Sequence, residues 1–566
     1  MNRLSYAVGR SDVSLIGLTL GEILDRVADR YPDNDAVVSI HQDIRWSYRE
    51  FQEKVDHAAR ALMALGVSKG DRVGIWAMNY SEWIMIQFAT AKMGAIMVNI
   101  NPSYRTHEFE YAMKQAEIHT LFVQARFKSS DYISMFQEVC PEAAACSKGD
   151  IRSENFPFLK NVVFIGEEQF DAVFSWPEFW EKAELISVDE LKEAEYSLDF
   201  DDPINIQYTS GTTGYQKGVI LTHHGLLNNG YIIGEGMKFT ERDRLCIPVP
   251  FFHCFGMVLA NLACITHGSA MVLPSPSFNA KAVLEAVEKE KCTALHGVPT
   301  MFIAELSHHE FDSHDLSSLR TGIMAGSPCP VEVMKEVSSR MHMKEIVIVY
   351  GQTETSPGVT MTTTDDPLER RVSTVGRPFP HCEIKIVDPV SNRILPRGET
   401  GEICARGYMV MKGYYNNPSA TSQTLDENGW NHTGDLGVMD EEDYLRIVGR
   451  TRDVVIRGGE NIYPREIEEF FHQQPEIADA YIIGVPDRKY GEELVLWVKL
   501  ADGVSSEDVS IKKMCHGKIA HYKIPRYVKY TDSFPMTISG KIQKFRMREV
   551  SVKELGLEDL EKIETA

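Results

Sequence analysis

Between Thr209 and Gly218 the chain reads Thr-Ser-Gly-Thr-Thr-Gly-Tyr-Gln-Lys-Gly, with three glycines, four aliphatic hydroxyls and one lysine in ten residues. That composition is suited to cradling a polyphosphate. Thr209, Ser210, Thr212 and Thr213 offer hydroxyls, Gly211, Gly214 and Gly218 let backbone N–H groups approach oxygens closely, and Lys217 adds positive charge. A Walker-type loop would place its lysine directly after the last glycine, follow it with Ser or Thr, and open a helix. Here Tyr215 and Gln216 separate Gly214 from Lys217, and residues 218–222 are a β-branched apolar run suited to a strand. The expected setting is a loop between two strands. A plain surface turn also collects Gly, Ser and Thr, but seldom at this density around a lysine.

Further along lie segments that could complete a nucleotide site. Phe252 and His253 fall in an aromatic stretch, and Gly-containing turns occur at 321–328, 349–355 and 430–437. Their side chains include Tyr350, Glu354 and Asp435. An aromatic face suits a purine, a carboxylate is a natural acceptor for a diol, and Mg²⁺ prefers hard oxygen ligands. Taken singly, each also reads as a core Tyr, a surface Glu or a turn Asp. His308, His309, Glu310, Asp312, His314 and Asp315 have the composition of metal ligands, but not the spacing of a motif such as H-E-x-x-H; a polar surface segment is expected there.

In this order, these segments resemble the signature of adenylate-forming enzymes, the superfamily of acyl-CoA synthetases, luciferases and peptide-synthetase adenylation domains. The resemblance covers nearly the whole chain and is densest from Tyr208 to Lys544. It implies that Ala325, Gly326 and Ser327 line the adenine, that Tyr350 stacks on it within the Gly351-Gln352 turn, and that Thr353 meets the α-phosphate. It also implies Glu354, with Thr213, as the Mg²⁺ site, Asp435 and Arg450 as ribose contacts, and His253 beside the carboxylate and the path of the thiol. Arg452 occupies the hinge position, Gly458, Gly459 and Glu460 belong to the loop facing the pantetheine of CoA, and Lys541 is the catalytic lysine. Three positions depart from the usual pattern: Gln216 for Pro or Ser, Met536 for Arg, and Lys544 for a frequent Arg.

These groups need a scaffold. Strand-like runs at 36–40, 72–78 and 95–100 alternate with a helix opened by the Ser47/Glu50 capping box and a second one that Ser81 could cap. Such alternation predicts parallel sheet covered by helices. Later, residues 449–464 read as a charged connector, a short strand, a Gly turn and a helix begun by Pro464. Strands are expected at 480–485 and 494–500, and a solvated, weakly helical tail from 551. The expected fold is α/β: a large N-terminal adenylate-forming domain of mixed and parallel sheets covered by helices (1–450), and a small α+β C-terminal domain on a hinge (451–566).

A net charge of −22 and a pI near 5.3 argue against a nucleic-acid partner. Ten scattered cysteines without a C-x-x-C pair fit a reducing, cytoplasmic compartment. Residues 245–280 contain no Asp, Glu, Lys or Arg, yet prolines, glycines and histidines interrupt them. A buried helix and strand are expected rather than a transmembrane segment; peripheral membrane contact and oligomeric state stay open. The resemblance implies an ATP-, Mg²⁺- and CoA-dependent acyl-CoA synthetase acting on a carboxylic acid, best matched by a medium- to long-chain fatty acid. The alternatives are loading of a separate acyl-carrier protein and action on an aryl or other acid.

Overall fold

The computed structural model describes residues 3–561 except 129, 210–215, 328, 451–452, 458–459, 489, 508, 517, 520 and 538–539. The expected early alternation is present: Asp35–Ser39, Arg72–Trp76 and Ile96–Asn99 are strands, and Tyr48–Ala64 and Ser81–Met93 are helices. Ser47 Oγ accepts the Glu50 N–H at 3.2 Å while Glu50 accepts the Ser47 N–H at 2.8 Å, closing the capping box. Ser81, in contrast, is inside its helix and not the cap; Tyr80 holds that position without a side-chain bond. Gln42, from another element, accepts the Ser81 N–H at 2.9 Å, so a tertiary contact replaces the local one.

Among the described residues, two large sheets build the N-terminal domain. In the seven-stranded sheet, Pro203–Thr209, Ile96–Asn99, Arg72–Trp76, Thr120–Val123 and Asn161–Phe164 run parallel, and Lys217–Thr222 and Gly413–Tyr414 extend it antiparallel. In the nine-stranded sheet, the parallel centre from Asp35–Ser39 to Glu345–Gly351 is bordered by antiparallel strands. Both faces of each sheet are buried, as helix-covered parallel sheet requires. Val73 and Ile75 point into the core shared with the central helices, whereas Trp76 packs with Phe109 and Tyr132 on the opposite face. Leu245 and Cys246 likewise divide between the central core and an outer one.

The helix Ser81–Met93 is buried nearly all round between these layers. It therefore carries Trp83 and Phe88 inward and forces Lys92, at 2% exposure, to find charge. Asp25 and Asp56 both accept from its ammonium, with Glu195 at 3.2 Å. The uncharged stretch 245–280 is also interior: the backbone after His253 runs with π-type turns over Phe255–Leu262, followed by the helix Ala263–His267 and the strand Ala270–Leu273. No helix among the described residues is long and apolar enough to cross a membrane.

A five-stranded antiparallel sheet follows, ordered Tyr6–Val8, Glu383–Val387, Gly401–Arg406, Asn431–Met439, Leu445–Arg450. Gly449 and Arg450 thus end a strand and are not the connector expected from their charge; pairing of Arg450 with Asp435 holds them. The small C-terminal domain is built on the long pair Ile477–Asp487 and Gly491–Leu500, with Pro464–His472 packed against it. Its helix Lys544–Glu554 is not wholly solvated as the tail composition implied: Ser551 and Val552 are buried, and Ser551 Oγ accepts from Trp497 Nε1 at 2.9 Å.

One buried group has a consequence for stability. Glu305 is 1% exposed between the nine-stranded sheet and its outer helices, near Cys246, and neither carboxyl oxygen has a hydrogen-bond partner. Burial pushes its pKa well above the ordinary carboxylate value. The folded protein therefore holds a proton that the unfolded chain releases, so stability is full below the unfolded pKa and falls as pH rises toward the folded one. Glu305→Gln is expected to flatten this loss by up to about 1.4 kcal/mol per pH unit. Thermal unfolding midpoints at pH 6 and pH 8.5 check it; identical pH dependence in the two proteins would reject the protonated state.

Candidate active site

The glycine-rich loop does join two strands. Pro203–Thr209 and Lys217–Thr222 pair antiparallel, with Tyr208 opposite Gly218 and Thr209 opposite Lys217, so Thr209 and Lys217 face each other at the loop's base. Ser210, Gly211, Thr212, Thr213 and Gly214 lie outside the described residues. Gly218 leaves room for Ile206, whose Cγ2 would stand 2.8 Å from a Cβ there. Lys217 Nζ sits over the ring of Tyr414 at 4.9 Å from its centroid, and the Tyr414 hydroxyl donates to Glu354 Oε1 at 2.7 Å. Tyr414 thus couples the loop lysine to the expected Mg²⁺ carboxylate. Sequence reasoning missed it, since a tyrosine in a two-residue edge strand carries no local signal.

Glu354 is largely buried, and its carbonyl accepts the Met411 N–H at 2.9 Å. Gly351 precedes it at a point where a Cβ would fall 1.8 Å from the Pro357 carbonyl oxygen, so only glycine fits the turn. Gln352 caps that turn through its N–H to Thr355 Oγ1, and Thr353 lies beside the Cys254 thiol. Tyr350 reaches across to the antiparallel sheet: its hydroxyl donates to Asp435 Oδ2 at 3.0 Å, while Arg450 Nε lies 3.0 Å from Asp435 Oδ1. Burial and the Asp435 charge push the Tyr350 phenol well up. The carboxylate expected to hold a diol is therefore oriented from both sides.

Ala325 is buried, and Gly326 and Ser327 open toward the cleft. A Cβ at Gly326 would lie 3.9 Å from both Lys541 Cε and Phe255 Cδ1. The C-terminal lysine therefore stands at the wall expected to contact adenine. Its turn is local: Thr537 N–H donates to the Lys541 carbonyl at 2.8 Å, and Lys541 N–H to Thr537 Oγ1 at 3.0 Å. Gly540 takes a φ of +78° and packs so closely on Val298 and Thr300 that a Cβ would come within 2.9 Å of each.

The Lys541 ammonium remains open to solvent in the cleft, yet protein surrounds it at depth. This desolvation and the charge of Arg450 lower its pKa, against the opposing pull of Asp435, Cys254 and Glu354. His253 feels the same surroundings: burial, with Lys541 nearby, pushes its imidazole down to about 3, leaving it neutral at ordinary pH. Cys254 Sγ donates to Gln207 Oε1 at 2.5 Å, and burial pushes that thiol up, so it is no thiolate nucleophile. His296 was also missed. Its Nδ1 accepts the Ile323 N–H at 3.2 Å and its Nε2 donates to Leu259 O at 3.0 Å, tying the 321–324 strand to the π-turn segment.

The fold thus gathers Lys217, His253, Gly326, Tyr350, Thr353, Glu354, Asp435, Arg450 and Lys541 around one cleft. Glu460 begins a short strand; Arg452, Gly458 and Gly459 lie outside the described residues. Residues 24–415 match the family profile of AMP-binding enzymes and residues 466–541 the AMP-binding enzyme C-terminal domain. The chain belongs to the AMP-binding enzyme family, in its acyl-CoA synthetase branch. YngI of Bacillus subtilis, which bears the name of an acyl-CoA synthetase, is 51% identical over 96% of this chain and 99% of its own. The mitochondrial medium-chain acyl-CoA ligase ACSF2 of Rattus norvegicus is 41% identical over 98% of this chain and 91% of its own. Among solved structures, the anthranilate CoA ligase AuaEII in complex with anthranoyl-AMP superposes with a TM-score of 0.83 at 25% identity, covering 96% of this chain and 99% of that one. The AMP-binding enzyme fold of this chain, a large α/β domain with a small C-terminal one, is that of its structural neighbours.

Proposed function

We propose that this member of the acyl-CoA synthetase branch, an AMP-forming acid–thiol ligase, activates a medium- to long-chain fatty acid as acyl-AMP and passes the acyl group to CoA. The observation that carries the reading is Lys541, delivered by the small domain to a cleft that also holds Glu354 and Asp435. A carboxylate is a poor electrophile because oxide would have to leave; joining it to AMP supplies a phosphate leaving group. The first half-reaction brings a carboxylate against a triphosphate, so cations must meet the developing charge. We assign Lys541 and Lys217 to that work, Arg450 and Asp435 to the ribose, and Tyr350 with residues 325–327 to the adenine. The neutral His253 imidazole can hydrogen-bond the acid without competing for its charge.

The residues fit Mg²⁺. Tyr414 engages one oxygen of the buried Glu354 carboxylate, and no described residue hydrogen-bonds the other, which is a hard ligand of the kind Mg²⁺ takes. When bound, the ion would neutralise phosphate charge. The second half-reaction needs a path for a thiol arm, and we assign it to the 458–460 loop, reached by turning a domain that begins near residue 451 about Arg452.

The fatty-acid assignment draws on the medium-chain relatives' names and on the uncharged, largely buried segment behind His253. The likeness to an anthranilate CoA ligase favours a second reading, an aryl acid. A panel from acetate to palmitate plus aryl acids, followed by ATP–pyrophosphate exchange and by CoA thioester formation, decides. The highest kcat/KM is expected for the medium- to long-chain acids of the panel; an aryl optimum overturns the fatty-acid reading, and exchange without CoA thioester overturns the choice of acceptor.

A further inference from the structure

Asp435 owes its position to an irregularity in the antiparallel sheet. Strands Gly401–Arg406 and Asn431–Met439 pair with Glu402 opposite Leu436 and Cys404 opposite His432. Ile403 alone therefore faces Thr433, Gly434 and Asp435, and the second strand must bulge. Within the bulge the ladder bonds are replaced. Thr433 Oγ1 donates to the Ile403 carbonyl at 2.7 Å and accepts the Asp435 N–H at 3.1 Å. The Gly434 N–H donates to Glu402 Oε1 at 3.1 Å, from a backbone with φ of +70° that favours glycine.

The other Glu402 oxygen is also engaged. It lies 3.1 Å from His432 Nδ1, and His432 Nε2 is 3.8 Å from Asp426 Oδ2. Glu402, ahead of Asp426, raises the His432 pKa, against partial burial and Lys385. The pair is a hydrogen-bonded brace. Glu402, Cys404 and His432 also place an oxygen, a sulfur and a nitrogen within 4.8 Å of one another, a donor set that a metal ion could use. His432 Nδ1 donates to Glu402 and so has no lone pair to offer a metal, and the other Glu402 oxygen holds the Gly434 N–H, so the arrangement serves the bulge.

We propose that Glu402, braced by His432, is a positioning residue for nucleotide binding: it holds the 433–435 bulge in the shape that aims Asp435 at the ribose diol. The proposal rests on Asp435 being the ribose acceptor. Glu402 does not touch the nucleotide; it acts through the Gly434 N–H. The test compares Glu402→Ala, Glu402→Gln and Asp435→Ala in the full-length enzyme, measuring KM for ATP, 2′-deoxy-ATP, the acid and CoA alongside a thermal melt. Glu402→Ala should raise KM for ATP about tenfold, as loss of one charge-assisted hydrogen bond allows, and shrink the preference for ATP over 2′-deoxy-ATP toward one. KM for the acid and CoA should stay unchanged. Glu402→Gln, whose amide oxygen can still accept from Gly434, should recover most of the preference.

If Glu402→Ala keeps the wild-type preference while Asp435→Ala loses it, the ribose reading stands and the brace is rejected. A general rise in all KM values with an earlier melt also rejects it, in favour of a plain structural role. If Asp435→Ala itself keeps the full preference, the ribose reading fails and the positioning proposal falls with it.

Discussion

Lys541→Ala should cut the reaction of acid with ATP by about 10²- to 10³-fold, the effect of removing one preorganised cation from a transition state that gathers negative charge. Synthetic acyl-AMP with CoA should still give thioester at a near-normal rate, because the proposed mechanism turns the small domain away before the thiol enters. The structure makes this a clean substitution. The turn is held by Thr537 and by Gly540 against Val298 and Thr300, and no described residue hydrogen-bonds the lysine side chain. Measuring both half-reactions with a thermal melt separates the outcomes: equal loss in both together with a lower melting temperature would mark Lys541 as structural, and unchanged adenylation would reject its role.

The second large effect is expected at Asp435. Asp435 is 6% exposed, and its carboxylate already accepts from Tyr350 and pairs with Arg450. Asp435→Ala should weaken nucleotide binding by about 2 to 4 kcal/mol, roughly 30- to 1,000-fold, since a charged hydrogen-bonding partner is lost and two aligned donors are left unpaired. The loss should appear in KM for ATP, with the phosphate loop untouched. Asp435→Asn, which keeps an acceptor oxygen but not the charge facing Arg450, should fall between. A variant with unchanged KM and turnover would remove Asp435 from the nucleotide site.

How much of this was legible in the sequence depended on how local each cause is. The Ser47/Glu50 box, Pro464 at the start of its helix, and the β-branched run after Gly218 act within a few residues, and the structure has them as read. Ser81 has the right residue type for a cap and lost that role because Gln42, distant in sequence, supplied the acceptor. The strand ending at Arg450 was misread as a connector because its charge was weighed without its partner Asp435. Ser551 was placed in solvent from composition, whereas Trp497 covers it.

The amino-acid sequence by itself determined the alternating strand and helix pattern, the loop between two strands, the order of the nucleotide motifs and hence membership of the family. Each of these is written in short-range spacing, where hydrophobic period, glycine freedom and capping chemistry operate. Only the tertiary structure decided that Tyr414 joins Lys217 to Glu354, that Glu402 braces the bulge behind Asp435, that Glu305 is sealed without a partner, and that Lys541 reaches Gly326. Those contacts join residues far apart in the chain, and they follow from strand order, register and the docking of one domain on another, which no local pattern encodes.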